Sequence, residues 1–159
     1  MLCPAGYAAE VLRLVRAGWS FLELKRFTFY LDEEATQLFF ENGKLVAQSG
    51  CRVVQNAQGA SIGVARDAFE AIGGFDESFV GWGGEDNEFW HRAESRGDVF
   101  TFGFLPFVHV WHPPQAEKLD GAAAAGSQRF LELEQIAPET RIERLRALDW
   151  GNVSRPSSA

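Results

Sequence analysis

The chain has 159 residues, 46% apolar and 23% charged, which fits one domain and argues against intrinsic disorder over most of its length. Its formal net charge of -7, with no basic stripe, argues against a nucleic-acid partner. Cys3 and Cys51 form neither a disulfide framework nor a zinc motif, and the sequence has no run of the roughly 18 apolar residues a spanning helix needs; with no signal-peptide pattern at the start, a cytoplasmic setting without a membrane span is expected.

Pro4 suits the first turn of a helix, and Tyr7, Ala8, Val11, Leu12 and Val15 then recur on one face up to Gly18. Ser20 and Glu23 have the spacing of a capping box, which predicts a short second helical segment. Residues 26–31 alternate weakly and read as extended. Asp32 is placed to cap a helix with Glu33 and Glu34 in its first turn, closing near Asn42 and Gly43. Short strands are expected over residues 45–46, 52–55 and 61–64, with a turn at 56–60.

Residues 66–72 read as a two-turn helix stopped by Gly73 and Gly74. A glycine-rich loop leads to a longer helix over 85–96, and residues 99–104 and 106–111 read as strands before Pro113 and Pro114. The tail opens with a low-complexity run at 121–126. Ser127 then stands where a cap to a helix reaching Ile136 is expected. Pro138 opens another helix, with Ile142, Leu145 and Leu148 on one side, and residues 152–159 read as a frayed end.

The chemistry concentrates between Gly73 and Gly97. Gly73, Gly74, Gly83 and Gly84 permit tight turns and close approach of a ligand. Glu85 and Asp86 follow at once, in the first turn of a helix whose dipole favours ionised carboxylates. A carboxylate at a cleft rim can serve as a base toward a hydroxyl; acidic residues also occupy first turns for dipole and capping reasons alone. His109 and His112 stand at i and i+3 on an expected strand, which points them to opposite faces, with the loop after Trp111 bending the second; that makes them poor joint ligands. His91 reads as a surface position of its helix. The phenylalanines read as core, while Trp82 and Trp111 stay open between core packing and stacking on a sugar face. A metal hydrolase built on His109, His112 and Glu85 lacks any H-E-x-x-H spacing.

The string GWGGEDNEFWHR, with GASIGVARDAFEAIGGFDESF before it, resembles the W-G-G-E-D/N segment of GT-A-type glycosyltransferases. It is similar to the β-1,4-galactosyltransferases, the polypeptide N-acetylgalactosaminyltransferases and bacterial family-two enzymes with a galactosyltransferase carboxyl-terminal domain. The resemblance implies an α/β fold, the carboxyl-terminal half of a GT-A domain, with a mixed sheet and flanking helices. It implies that Asp86 is the base for the acceptor hydroxyl and Glu85 a contact to the acceptor sugar. Trp82 matches the aromatic residue of a mobile loop whose close passage Gly83 and Gly84 allow. Gln55 and Asn56 would lie near the cleft, their amides free to bond a hydroxyl or, for a turn asparagine, its own backbone. His112 matches the histidine that completes a divalent-metal site for Mn2+ or Mg2+, with His109 in reserve. Retaining and inverting members share similar signatures, so the anomeric outcome stays open.

Such enzymes carry an Asp-x-Asp metal motif, and this sequence has none. Its opening resembles the segment that follows the motif, so a truncated domain is expected, or one completed by a second polypeptide. Residues 1–115 are then the acceptor side and 116–159 a helical tail. Two functions compete. One is transfer of a sugar from a nucleotide-sugar donor to a glycan or other hydroxyl acceptor. The other is a non-catalytic glycan-binding or regulatory module on the same fold.

Overall fold

A computed structural model describes residues 1–45, 51–56, 59–80, 82–114 and 122–148. Val46 of the expected 45–46 strand and the 152–159 end lie outside these residues. The elements run α1 (Tyr7–Arg16), β1 (Phe21–Leu22), β2 (Lys25–Tyr30), α2 (Glu33–Asn42), β3 (Arg52–Gln55), β4 (Gly63–Val64), α3 (Arg66–Ala71), α4 (Glu85–Glu94), β5 (Val99–Phe100), β6 (Leu105–His109), α5 (Ala122–Glu134) and α6 (Pro138–Arg146).

The fold is mixed α/β, as expected, with the strands divided between two three-stranded sheets. In the first, of order β4-β1-β5, β1 is antiparallel to β4 and parallel to β5. In the second, of order β3-β2-β6, β2 is antiparallel to β3 and parallel to β6. Only Glu23 and Leu24 separate β1 from β2, so one extended segment is the central strand of both sheets. Its apolar run explains the position: Phe21, Leu22 and Leu24 are 1%, 0% and 0% exposed. Burying each such side chain contributes about 2 kcal/mol, which a central strand can collect and an amphipathic helix cannot.

That burial overturns the capping box at Ser20 and Glu23, since both residues belong to the extended segment. The strand expected over 99–104 pairs only at Val99–Phe100, because Gly103 packs against the backbone carbonyls of Glu23 and Lys25 instead of continuing the ladder. Pro4 precedes α1, whose cap is the left-handed Gly6. Ser127 lies inside α5 instead of capping it: the helix begins at Ala122, and alanine is the strongest helix former. Asp32 does cap α2, accepting a bond from the Ala35 N–H at 2.8 Å, and left-handed Gly43 closes it.

One core cluster joins Phe21 and Ile72 to Phe89, Trp90 and Ala93 of α4 and to Ile142 of α6. Helices α5 and α6 both pack on α4. Beneath them Glu88 accepts from Arg92 at 2.6 Å and from Arg141 at 2.9 Å, with all three side chains at most 2% exposed. Arg141 also donates to Nδ1 of His91 at 2.6 Å, so His91 is held by α6 and is not the surface position expected.

Candidate active site

Residues Gly83 and Gly84 have φ of 93° and 90°, a region that L side chains rarely adopt, and they turn the chain into α4. The turn is braced from behind. Gly126 of α5 meets the Gly83 carbonyl, and Gly84 meets the Gly126 carbonyl, with no room for a Cβ at either glycine. Backbone contact between the hinge and α5 therefore fixes the direction in which the first turn of α4 presents Glu85 and Asp86.

Asp86 lines a cavity of about 420 Å³ together with Tyr7, Ser61, Phe75 and Phe107. That volume lies in the range of small-ligand sites. On one wall the Tyr7 and Ser61 hydroxyls are hydrogen-bonded at 2.9 Å, and the Phe107 ring meets Tyr7 edge-on. A second cavity, of about 490 Å³ between α3 and α6, has Glu70, Glu77 and Arg146 as its charged lining and does not reach the acidic pair.

Neither Glu85 nor Asp86 joins a salt bridge among the described residues. The Asp86 carboxylate packs so closely on Gly59 that a Cβ there would overlap it, and the adjoining Ala60 N–H favours its charged form. Gly59 and Ala60 have φ of 87° and 60°; in a residue bearing a Cβ that conformation costs about 1–2 kcal/mol. The strained turn is thus shaped around Asp86. Burial first, then the neighbouring Glu85 charge, raises the proton affinity of Asp86 above an ordinary carboxylate's, while Ala60 and Lys25 pull it back.

Behind the turn lie two charged residues to which the sequence reading gave no functional role. Lys25 is 3% exposed and its ammonium donates to the Gly59 carbonyl. Burial lowers its pKa, opposed by the charges of Glu23 and Asp86. Both carboxylate oxygens of Glu23 are buried without a well-formed hydrogen bond, and the Lys25 N–H supplies only a weak pull. Desolvation raises the Glu23 pKa to about 7. The signal was present in Glu23-Leu24-Lys25: in an extended segment alternate residues share a side, so a buried leucine between two charges places both charges together.

The remaining candidates sit apart from this group. His112 is exposed, does not line the cavity, and its Nδ1 lies 2.9 Å from the Pro113 carbonyl oxygen. Its ring centroid is 5.2 Å from that of His109, which stacks on Tyr30 at 4.8 Å, with Arg52 over the far face of the group. Strand β6 ends at His109, and the two rings lie close where strand alternation alone would point them apart. Gln55 and Asn56 are exposed and do not line the cavity. In the orientation hydrogen bonding dictates, the Gln55 amide oxygen accepts from Arg26 at 2.8 Å. Asn56 is left-handed, φ 55°, and its N–H bonds the Arg26 carbonyl. Trp82 is 50% exposed beside the hinge, and Trp111 is 40% exposed.

Residues 49–109 match the family described as the N-terminal domain of galactosyltransferase, where the resemblance read from the sequence named the carboxyl-terminal domain of those enzymes. The chain is 41% identical over 59 residues to β-1,4-galactosyltransferase 5 of Sus scrofa, covering 32% of this chain and 15% of that protein. It is 32% identical over 80 residues to chondroitin synthase of Escherichia coli, covering 50% of this chain and 12% of that protein. The chain thus spans only a small part of the relatives it matches. No solved structure gives a significant match. The matched segment holds β3, β4, α3, α4, β5 and β6, and with them the Gly59–Ala60 turn, the glycine hinge and the acidic pair. Together the matches support a glycosyltransferase domain in this chain. Among the described residues no helix is long and apolar enough to cross a membrane.

Proposed function

We propose that this chain forms the acceptor side of a sugar-nucleotide glycosyltransferase in which Asp86 removes the proton from the acceptor hydroxyl. The observation that carries the reading is the seat of Asp86. It lines a ligand-sized cavity in the first turn of α4, packs on the Gly59–Ala60 turn, has no ion pair among the described residues, and has a proton affinity raised above an ordinary carboxylate's, the direction a base needs. The Asp86 carboxylate takes the proton as the hydroxyl oxygen bonds to the anomeric carbon of the donor. The bond from that carbon to the diphosphate oxygen breaks, and the nucleoside diphosphate leaves. Glu85 accepts a hydrogen bond from a neighbouring hydroxyl of the acceptor. Trp82 offers its half-exposed ring to a sugar face, and Gly83 and Gly84 let the backbone approach it.

The resemblance also implies a manganese or magnesium ion. Among the described residues no three His, Cys, Asp or Glu side chains converge. Two adjacent imidazoles do not fit an ion that prefers octahedral oxygen ligands. Oxygen donors to accompany His112 would come from outside the described residues, in the same or a second polypeptide, and no step above runs through the ion.

The test is acceptor-dependent release of nucleoside diphosphate from a panel of nucleotide sugars with manganese present. Asp86→Asn is expected to lower the rate on the order of 10²–10⁴-fold with an unchanged circular dichroism spectrum. Turnover equal to wild type removes Asp86 from the base role. Wild-type chain that binds oligosaccharide yet releases no nucleoside diphosphate with any pair is a binding module instead.

A further inference from the structure

Behind the turn that packs on Asp86 lie a buried ammonium and a buried carboxyl that the proposed transfer step does not use. Lys25 enters β2 from below the Gly59–Ala60 turn and donates to its carbonyl. That turn has two consecutive left-handed residues, and the Asp86 carboxylate packs directly on it at Gly59. The tether therefore runs from ammonium to carbonyl, through Gly59, to the carboxylate. The glycine at position 59 is required twice, by its φ and by the carboxylate packed on it. Glu23 sits two residues before Lys25 on the same side, with Tyr7 of α1, Lys25 of β2 and Asp86 of α4 as the titratable groups that act on it.

We propose that Lys25 is the positioning residue of the base: its buried ammonium fixes the turn that seats Asp86, and with the Glu23 carboxyl it sets the charge that the Asp86 carboxylate meets. This rests on the assignment of Asp86 as base. An ammonium in this place holds Asp86 ionised against the desolvation that raises its proton affinity. A carboxyl that stays protonated close to neutral pH adds no second negative charge while Asp86 works. Once Glu23 ionises, the ammonium is shared between two carboxylates. The arrangement thus gives the base a reserve charge that changes near neutrality, through groups that touch no substrate.

Carboxylate-carbon NMR titration of the whole chain tests this without turnover. Replacing Lys25 by Met is expected to raise the proton affinity of Asp86 about tenfold or more, and that of Glu23 with it. Lys25→Gln keeps a donor for the Gly59 carbonyl without the charge. It should show the same rise while the Ala60 amide keeps its wild-type chemical shift, which Lys25→Met should lose. In Asp86→Asn the Glu23 midpoint should fall. An Asp86 midpoint unchanged in both Lys25 variants overturns the proposal. Should neither variant fold, an unlowered Glu23 midpoint in Asp86→Asn overturns it. These readouts are separate from the turnover of Asp86→Asn, so loss of the base assignment and loss of the positioning role are distinguished.

Discussion

Helix α4 carries two acidic sites two residues apart, and they meet opposite surroundings. Glu88, 1% exposed, is held by the guanidinium groups of Arg92 and Arg141, with one arginine from its own helix and one from α6. Asp86 has the Gly59–Ala60 turn packed on it, a cavity in front of it and a partly shared ammonium behind. The first site is satisfied and structural. The second keeps hydrogen-bonding capacity unspent where a ligand can reach it. The difference shows that an acidic residue in a helix is assigned by its partners, not by its place in the first turns.

Substituting Glu88 by Ala should produce the largest loss. It leaves two buried guanidinium groups without a counter-charge, and a loss of about 3–5 kcal/mol is expected in urea unfolding. A loss below about 1 kcal/mol would erase the contrast between the sites.

Next in size is a pH effect from Glu23. Its folded-state pKa, about 7, lies above the ordinary value of 4.5, so its contribution is fully present below pH 4.5 and is lost as pH rises through about 7. Relative to Glu23→Gln, wild type should lose on the order of 2 kcal/mol across that window, less than the full linkage value because the residue is only partly buried. Parallel stability curves for the two proteins would show that Glu23 does not titrate in that window.

A smaller effect is expected at Gly126→Ala. Alanine favours the helix by about 1 kcal/mol, yet its Cβ meets the Gly83 carbonyl, so the net result should be a loss of about 1–2 kcal/mol with displacement of α5 from the hinge. Stabilisation by Gly126→Ala would mean that α5 does not brace the hinge. Least of all, Asp86→Asn should leave stability at pH 7 within about 1 kcal/mol of wild type, or raise it. The raised proton affinity of Asp86 means that its charged form costs stability there, and an amide keeps the same shape beside the Gly59–Ala60 turn.

Much of the local architecture was legible because its causes are local. The Asp32 cap and the Gly43 stop are decided within one turn of α2, and the sequence shows both. The glycine hinge and the acidic pair are contiguous in the chain, and so is the resemblance they carry. The capping box failed because the burial of Phe21, Leu22 and Leu24 by strands far along the chain outweighs a cap of about 1 kcal/mol. The closeness of the two histidine rings depends on where β6 stops pairing, which strand alternation does not fix.

By itself, the sequence determined that Asp32 and Gly43 bound α2, that a glycine turn leads into Glu85 and Asp86, and that the segment resembles those of glycosyltransferases. Each of these depends on φ preferences and neighbours a few residues away. Which charges are consumed and which remain available was decided only by the tertiary structure. Arg141 reaches Glu88 across 53 residues and Lys25 reaches Gly59 across 34, and a carboxylate's proton affinity follows the charge and water around it in space.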